Sequence, residues 1–191
     1  MSKLHNKLIL GIGIRDVRYT TGNCPYYKKW YNMLVRCYDN TSQRLNPAYV
    51  GVTVCKDWLK FSNFKSWMET QTWEGLQLDK DIIKVGNKIY APETCCFVSS
   101  ALNNMVEGRV TEGKSLPTGV TQRESGMYSA RIRLYSKQTP LGTYKTVEEA
   151  HKAYVKAKCD YLEFEADKLK DTRIKDGLYR HVITLRARLL S

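Results

Sequence analysis

Three things are in short supply in this sequence, and each narrows its class. Long apolar runs are missing, so no segment is a candidate to span a bilayer. The Leu8–Ile14 stretch is apolar but short and is broken by Gly11 and Gly13, which reads as a strand or turn and not as an export signal. A cytoplasmic protein with no membrane partner is the expectation that follows. Cys-x-x-Cys pairs are absent among the six cysteines, which excludes the usual zinc-knuckle spacing. Cys24, Cys37, Cys55 and either Cys95 or Cys96 remain as the set from which a structural zinc site could be drawn, against the competing assignment of buried structural thiols. Acidic residues are the third shortage. Only 19 stand against 31 lysines and arginines, a formal net charge of +12 that points toward a polyanion.

The acid shortage is local. From Lys114 to Lys145 there are six basic residues and one acidic residue, Glu124, whereas 51–100 balances six against six. What is plentiful is apolar material: a hydrophobic fraction of 42% suits a folded chain.

Pro25 opens a helical pattern in which Tyr26, Trp30, Met33, Leu34 and Cys37 recur at three- and four-residue spacing, ending near Tyr38. A polar loop is expected from Thr41 to Pro47, then a short strand over 50–54. Trp58, Phe61, Phe64, Trp67 and Met68 form a second helical stripe. These rings could stack on bases, but their spacing favours a core-facing helix. From Leu78 to Val98 the pattern predicts a hairpin turning at Gly86-Asn-Lys88 and leading into a helix that carries Asn103 and Asn104. Residues 107–114 read as a linker between two modules, 1–106 and 115–191.

Beyond the linker, 119–123, 128–134 and 139–144 read as three strands. Thr146 with Glu149 forms a capping box opening a long helix to about Leu169, with Ala150, Ala153, Tyr154, Ala157, Tyr161 and Phe164 as its apolar stripe. Leu178, Val182, Leu185 and Leu189 mark a final helix. The fold class expected is α+β, in two small modules. A three-stranded sheet covered by one helix leaves its other face open. Arg131 and Arg133 are two apart and share that face, and Arg123 can join them. The alternative is an ordinary solvated charged face.

The string Thr118-Gly-Val-Thr, Ser125-Gly-Met-Tyr-Ser-Ala-Arg-Ile-Arg and Leu141-Gly-Thr-Tyr-Lys-Thr-Val-Glu-Glu-Ala-His-Lys-Ala-Tyr resembles the plant ethylene-response-factor type of DNA-binding domain over about fifty residues. The resemblance implies a sheet that enters the major groove of double-stranded DNA. Arg123, Arg131 and Arg133 would be its contacts and Lys137 would sit on phosphate. Tyr128 stands where those domains usually carry tryptophan.

The pattern Trp30-x-x-Met-Leu-x-Arg-Cys-Tyr, Val54-x-x-x-Trp58-x-x-Phe61-x-x-Phe64, Leu78-Asp-Lys-Asp and Tyr90-Ala-Pro-Glu-Thr-Cys resembles phage HNH homing endonucleases, from about Cys24 to Asn104. That resemblance implies a phage-encoded hydrolase with one divalent ion, magnesium or manganese, held by Asp79 and Asn103. The base position, a histidine in the family, falls on Lys80, and the family's central asparagine falls on Thr94. None of His5, His151 and His181 lies near this motif. A lysine at its ordinary pKa cannot take a proton from water, which leaves Lys80 to bind phosphate and Asp81 as a substitute base. Two functions follow: a metal-dependent DNA endonuclease, or an inactive DNA-binding regulatory or anti-host protein on a degenerate HNH scaffold.

Overall fold

The computed structural model describes residues 7–18, 21–107 and 116–189. Its element content is α+β, in two compact units, Met1–Val98 and Ser99–Ser191. The expected linker lies outside the described residues from position 108 onward.

The first unit opens with the antiparallel pair β1 (Lys7–Ile9) and β2 (Gly13–Arg15). Helix α1 (Pro25–Tyr38) follows, with proline in its first turn, where no backbone N–H is missed, and with Trp30, Met33, Leu34 and Cys37 buried. The stretch expected to be a polar loop is instead α2 (Asn40–Leu45), followed by a 3-10 turn over Pro47–Tyr49. Asp39 makes the difference. It closes α1 and its Oδ2 accepts from the Ser42 N–H at 2.7 Å, so one carboxylate ends one helix and starts the next.

The expected strand over 50–54 is reduced to β3 (Thr53–Val54), and a 3-10 turn at Asp57–Leu59 leads into α3 (Phe61–Glu69). Trp58, Phe61, Phe64 and Met68 are buried against Trp30 and Leu34, and Trp30 Nε1 donates to the Trp58 carbonyl. These rings are core.

The simple hairpin predicted over 78–98 does not form. Instead β4 (Gln77–Asp79) pairs antiparallel with β6 (Cys96–Val98), while β5 (Ile89–Tyr90) leaves that ladder to pair parallel with β3. A parallel partner more than thirty residues away has no local sequence signature, so the turn residues at 86–88 suggested the nearer pairing.

In the second unit, α4 (Ser100–Glu107) carries Asn103. Strands β7 (Val120–Gln122), β8 (Tyr128–Leu134) and β9 (Lys137–Tyr144) form an antiparallel meander where the sequence placed it. Helix α5 (Val147–Asp167) covers one face and starts with the predicted capping box, complete in both directions. Gly119 has φ +84°, and a Cβ there would come within 2.1 Å of the Tyr154 ring, so only glycine lets helix and sheet approach this closely.

The α5 stripe needs correction. Phe164 is exposed, and Val155, Cys159, Leu162 and Ala166 are buried instead. Helix α6 (Thr172–Ala187) packs along α5 and buries a second face that a single-stripe reading misses. Arg186–Glu163 and Lys175–Asp167 ion pairs join the two helices at the surface. Among the described residues no helix is long and apolar enough to cross a membrane.

Candidate nucleic-acid interface

Sheet register decides which side chains share a face. Residues directly opposite one another on neighbouring strands project to the same side. On one side lie Val120, Ala130 and Gly142, then Ile132 and Thr139; Val120, Ala130 and Ile132 are buried toward α5. On the other lie Thr121, Ser129 and Thr143, then Arg131 with Pro140, and Arg133 with Gln138.

Arg131 and Arg133 are both exposed, as strand alternation predicts. The ladder shifts register between Ala130 and Arg131. Ala130 faces Gly142 while Arg131 faces Pro140, leaving Leu141 as the extra residue of a bulge. Gly142, with φ +136° and the Tyr144 ring within 3.1 Å of any added Cβ, accommodates that distortion.

The four sequence-predicted cations occupy different positions. Arg133 has no hydrogen bond or ion pair through its side chain among the described residues. The Arg131 guanidinium donates through Nη2 to Thr121 Oγ1 at 3.1 Å. Arg123 lies just past β7 in an exposed turn, where its backbone pairs with Met127 and Gly126. Lys137 is exposed at the β8–β9 tip but pairs with Leu134, which puts it on the register of the helix side and not of the arginines.

From 116 to 145 the only carboxylate is Glu124. The open face is therefore a cationic surface of guanidinium groups on rigid strands, interleaved with hydroxyl and amide side chains. Such a surface can bind polyanions and form paired donors to planar acceptors.

The β8–β9 tip is held by more than its own hydrogen bonds. Tyr135 and Ser136 both have positive φ, 48° and 66°, in a two-residue turn that matches strand twist but strains residues bearing a Cβ. The Tyr135 hydroxyl donates to Glu165, Lys168 donates to both, and the ring meets Tyr161 edge-on. The sequence offered no sign of this clasp, because its partners lie about thirty residues apart.

The first unit's candidate residues have a different setting. Asp79 ends β4 and is buried, and its Oδ1 accepts the backbone N–H groups of Asp81 at 2.8 Å and Ile82 at 2.7 Å. Burial is the main cause that pushes its carboxyl above the ordinary aspartate range, only partly offset by those two hydrogen bonds. Lys80 is buried beside it, donating from Nζ to Asp81 and to the Asn87 carbonyl at 3.1 Å. Asn87 is buried rather than a surface turn residue, and its amide donates to the carbonyls of Lys80 and Ile89. The Thr94 hydroxyl donates to the same Ile89 carbonyl at 2.9 Å. The Asp79–Asp81 segment is thus the stitched end of a loop.

Asn103 lies in the other unit, and its Oδ1 is buried without a hydrogen-bond partner among the described residues. A divalent ion at Asp79 would find a carboxylate whose Oδ1 serves two backbone donors and whose neighbour is a buried ammonium. Taken alone, that loop does not fit a metal cradle. Among the described residues no three His, Cys, Asp or Glu side chains converge as a metal-holding group. Cys37 and Cys95 lie in the aromatic core, with Cys24 and Cys55 packed at its margin. Burial pushes the Cys37 thiol up to about 12 and raises Cys95 and Cys55 as well.

The chain is 44% identical over 63 residues to the ethylene-responsive transcription factor ERF119 of Arabidopsis thaliana. That segment is 32% of this chain and 18% of the plant protein, so the chain spans about a fifth of that relative's length. No family model matches the chain, and no solved structure matches it significantly.

Proposed function

We propose that this protein binds double-stranded DNA with sequence preference, laying the open face of β7–β8–β9 in the major groove. The observation that carries the reading is the pair Arg131 and Arg133, both exposed on one face of a strand within a stretch, 116–145, whose only carboxylate is Glu124. A twisted antiparallel ribbon fits the major groove, and arginine can pair in bidentate fashion with O6 and N7 of guanine. The similarity to a plant transcription factor supports the same assignment. Arg123 and Lys137, at the two turn ends, would hold phosphate and set the register.

The direct test is fluorescence anisotropy with labelled duplexes, followed by selection from a pool with a randomised core. Binding that weakens with salt and enriches a motif supports the proposal. Salt-insensitive binding, or no motif, overturns it.

Metal-dependent cleavage by Asp79, Lys80, Asp81 and Asn103 is placed second. The structural use of Asp79 and Lys80 weighs against it, and Asn103 belongs to the other unit. Incubating genomic DNA with the protein and magnesium or manganese separates the two readings.

A further inference from the structure

We infer that Thr121 is a positioning residue that fixes the guanidinium plane of Arg131 and so sharpens its choice of base. This rests on the proposal that the sheet reads DNA, and it makes the two strand arginines unequal. The Thr121 hydroxyl oxygen accepts one N–H from Arg131 Nη2 at 3.1 Å across the β7–β8 pair. Arg133, two residues along on the same face, has no such partner among the described residues.

An arginine offers five N–H donors in a planar fork. Spending one on Thr121 leaves the other Nη2 hydrogen and both Nη1 hydrogens for a two-point contact, while removing rotation about the long side chain. A fork that is already oriented loses less freedom on binding, and a base presenting the wrong acceptors then meets donors that cannot swing elsewhere.

The backbone holds Thr121 in place. It is paired directly with Ser129, two residues before Arg131 on the same face, and the bulge after Ala130 fixes where Arg131 emerges. The hydroxyl, and not merely the β-branched shape that suits a strand, is the part assigned this role.

The test uses the full chain and duplexes with a short randomised core, sequenced after selection by wild type, Thr121→Val, Thr121→Ser, Arg131→Ala and the double variant Thr121→Val with Arg131→Ala. The position that loses preference in Arg131→Ala marks the base pair that Arg131 reads. Thr121→Val keeps the strand-forming shape and is expected to lower discrimination at that position about three- to tenfold, the range of one modest hydrogen bond. Thr121→Ser should stay within about twofold of wild type, and Thr121→Val should add nothing to Arg131→Ala, as expected for one coupled unit. Unchanged discrimination in Thr121→Val, an equal loss in Thr121→Ser, or a loss spread over every position overturns the inference. If Arg131→Ala leaves every position unchanged, the failure lies in the base-reading proposal itself, and the role of Thr121 falls with it.

Discussion

Replacing Asp79 by asparagine or by alanine separates the structural use of its carboxyl from any use of its charge. Alanine removes the acceptor for two N–H groups, of which that of Ile82 is buried. An unsatisfied buried donor costs about 1–3 kcal/mol, and the half-buried Asp81 N–H less. Asp79→Ala should therefore lose about 2–4 kcal/mol, lowering the first unit's Tm by on the order of 10–20 °C. Asparagine keeps Oδ1, and its Nδ2 replaces an oxygen with no hydrogen-bond partner among the described residues. Because burial raises the carboxyl's pKa in the folded state, ionisation of Asp79 opposes folding. Its contribution is fully present below the unfolded aspartate value of about 3.9 and is lost as pH rises through the folded value. Asp79→Asn removes that loss, so its stability relative to wild type should improve from acid toward neutral pH. All four tryptophans (Trp30, Trp58, Trp67 and Trp73) lie in the first unit, so urea titrations followed by tryptophan fluorescence report on it selectively. Equal losses for asparagine and alanine at neutral pH would refute the reasoning and show that the negative charge itself is required.

Arg131→Ala and Arg133→Ala should each weaken binding of a selected duplex by about 1–3 kcal/mol and relax one base pair, while Lys137→Ala weakens all duplexes alike, as gel-shift titrations against mismatched competitors would show. With Arg123 and Lys137 on phosphate, the sheet contributes about −1.8 to the slope of log affinity against log salt, so Lys137→Ala should make the slope shallower by about 0.9 in an anisotropy salt series. Supercoiled plasmid incubated with magnesium or manganese is expected to stay intact with wild type and with Lys80→His, because the loop binds Lys80 for its own architecture; nicking that disappears in Asn103→Ala would establish cleavage instead. Gly119→Ala should cost the second unit more than about 1 kcal/mol, since both its φ and the Tyr154 ring oppose a Cβ, and far-UV circular dichroism during unfolding would measure it.

Local signals in the sequence were faithful where one element decides its own structure. Pro25 and the four-residue spacing marked α1, Thr146 and Glu149 marked the start of α5, and alternation placed Arg131 and Arg133 outward. Features requiring two distant partners were not legible. The crossover of β5 to β3 and the burial of α5 against α6 each depend on contacts that periodicity does not encode, whereas the cap at Asp39 is local, three residues from Ser42, and lies in a polar stretch with no apolar stripe to mark it as helix. The same limit applies at the candidate interface. Thr121 meets Arg131 only through cross-strand register, and the turn at Tyr135 and Ser136 is what sets Lys137 opposite Leu134 on the helix-side register.

The interleaved strands of the first unit bear on how it acquires its structure during synthesis. β3 waits for β5, and β4 waits for β6, so closing these ladders fixes long loops before any contact rewards the lost chain entropy. The second unit joins its three strands through short turns and runs straight into the helix that covers them, which is a faster topology. The unit made first therefore stays open until Cys96–Val98 has left the ribosome. A pause in translation between Ile82 and Cys95 would hold Trp30, Trp58, Phe61 and Phe64 in contact with solvent or chaperones, and codon changes there should alter yield more than the same changes after Val120.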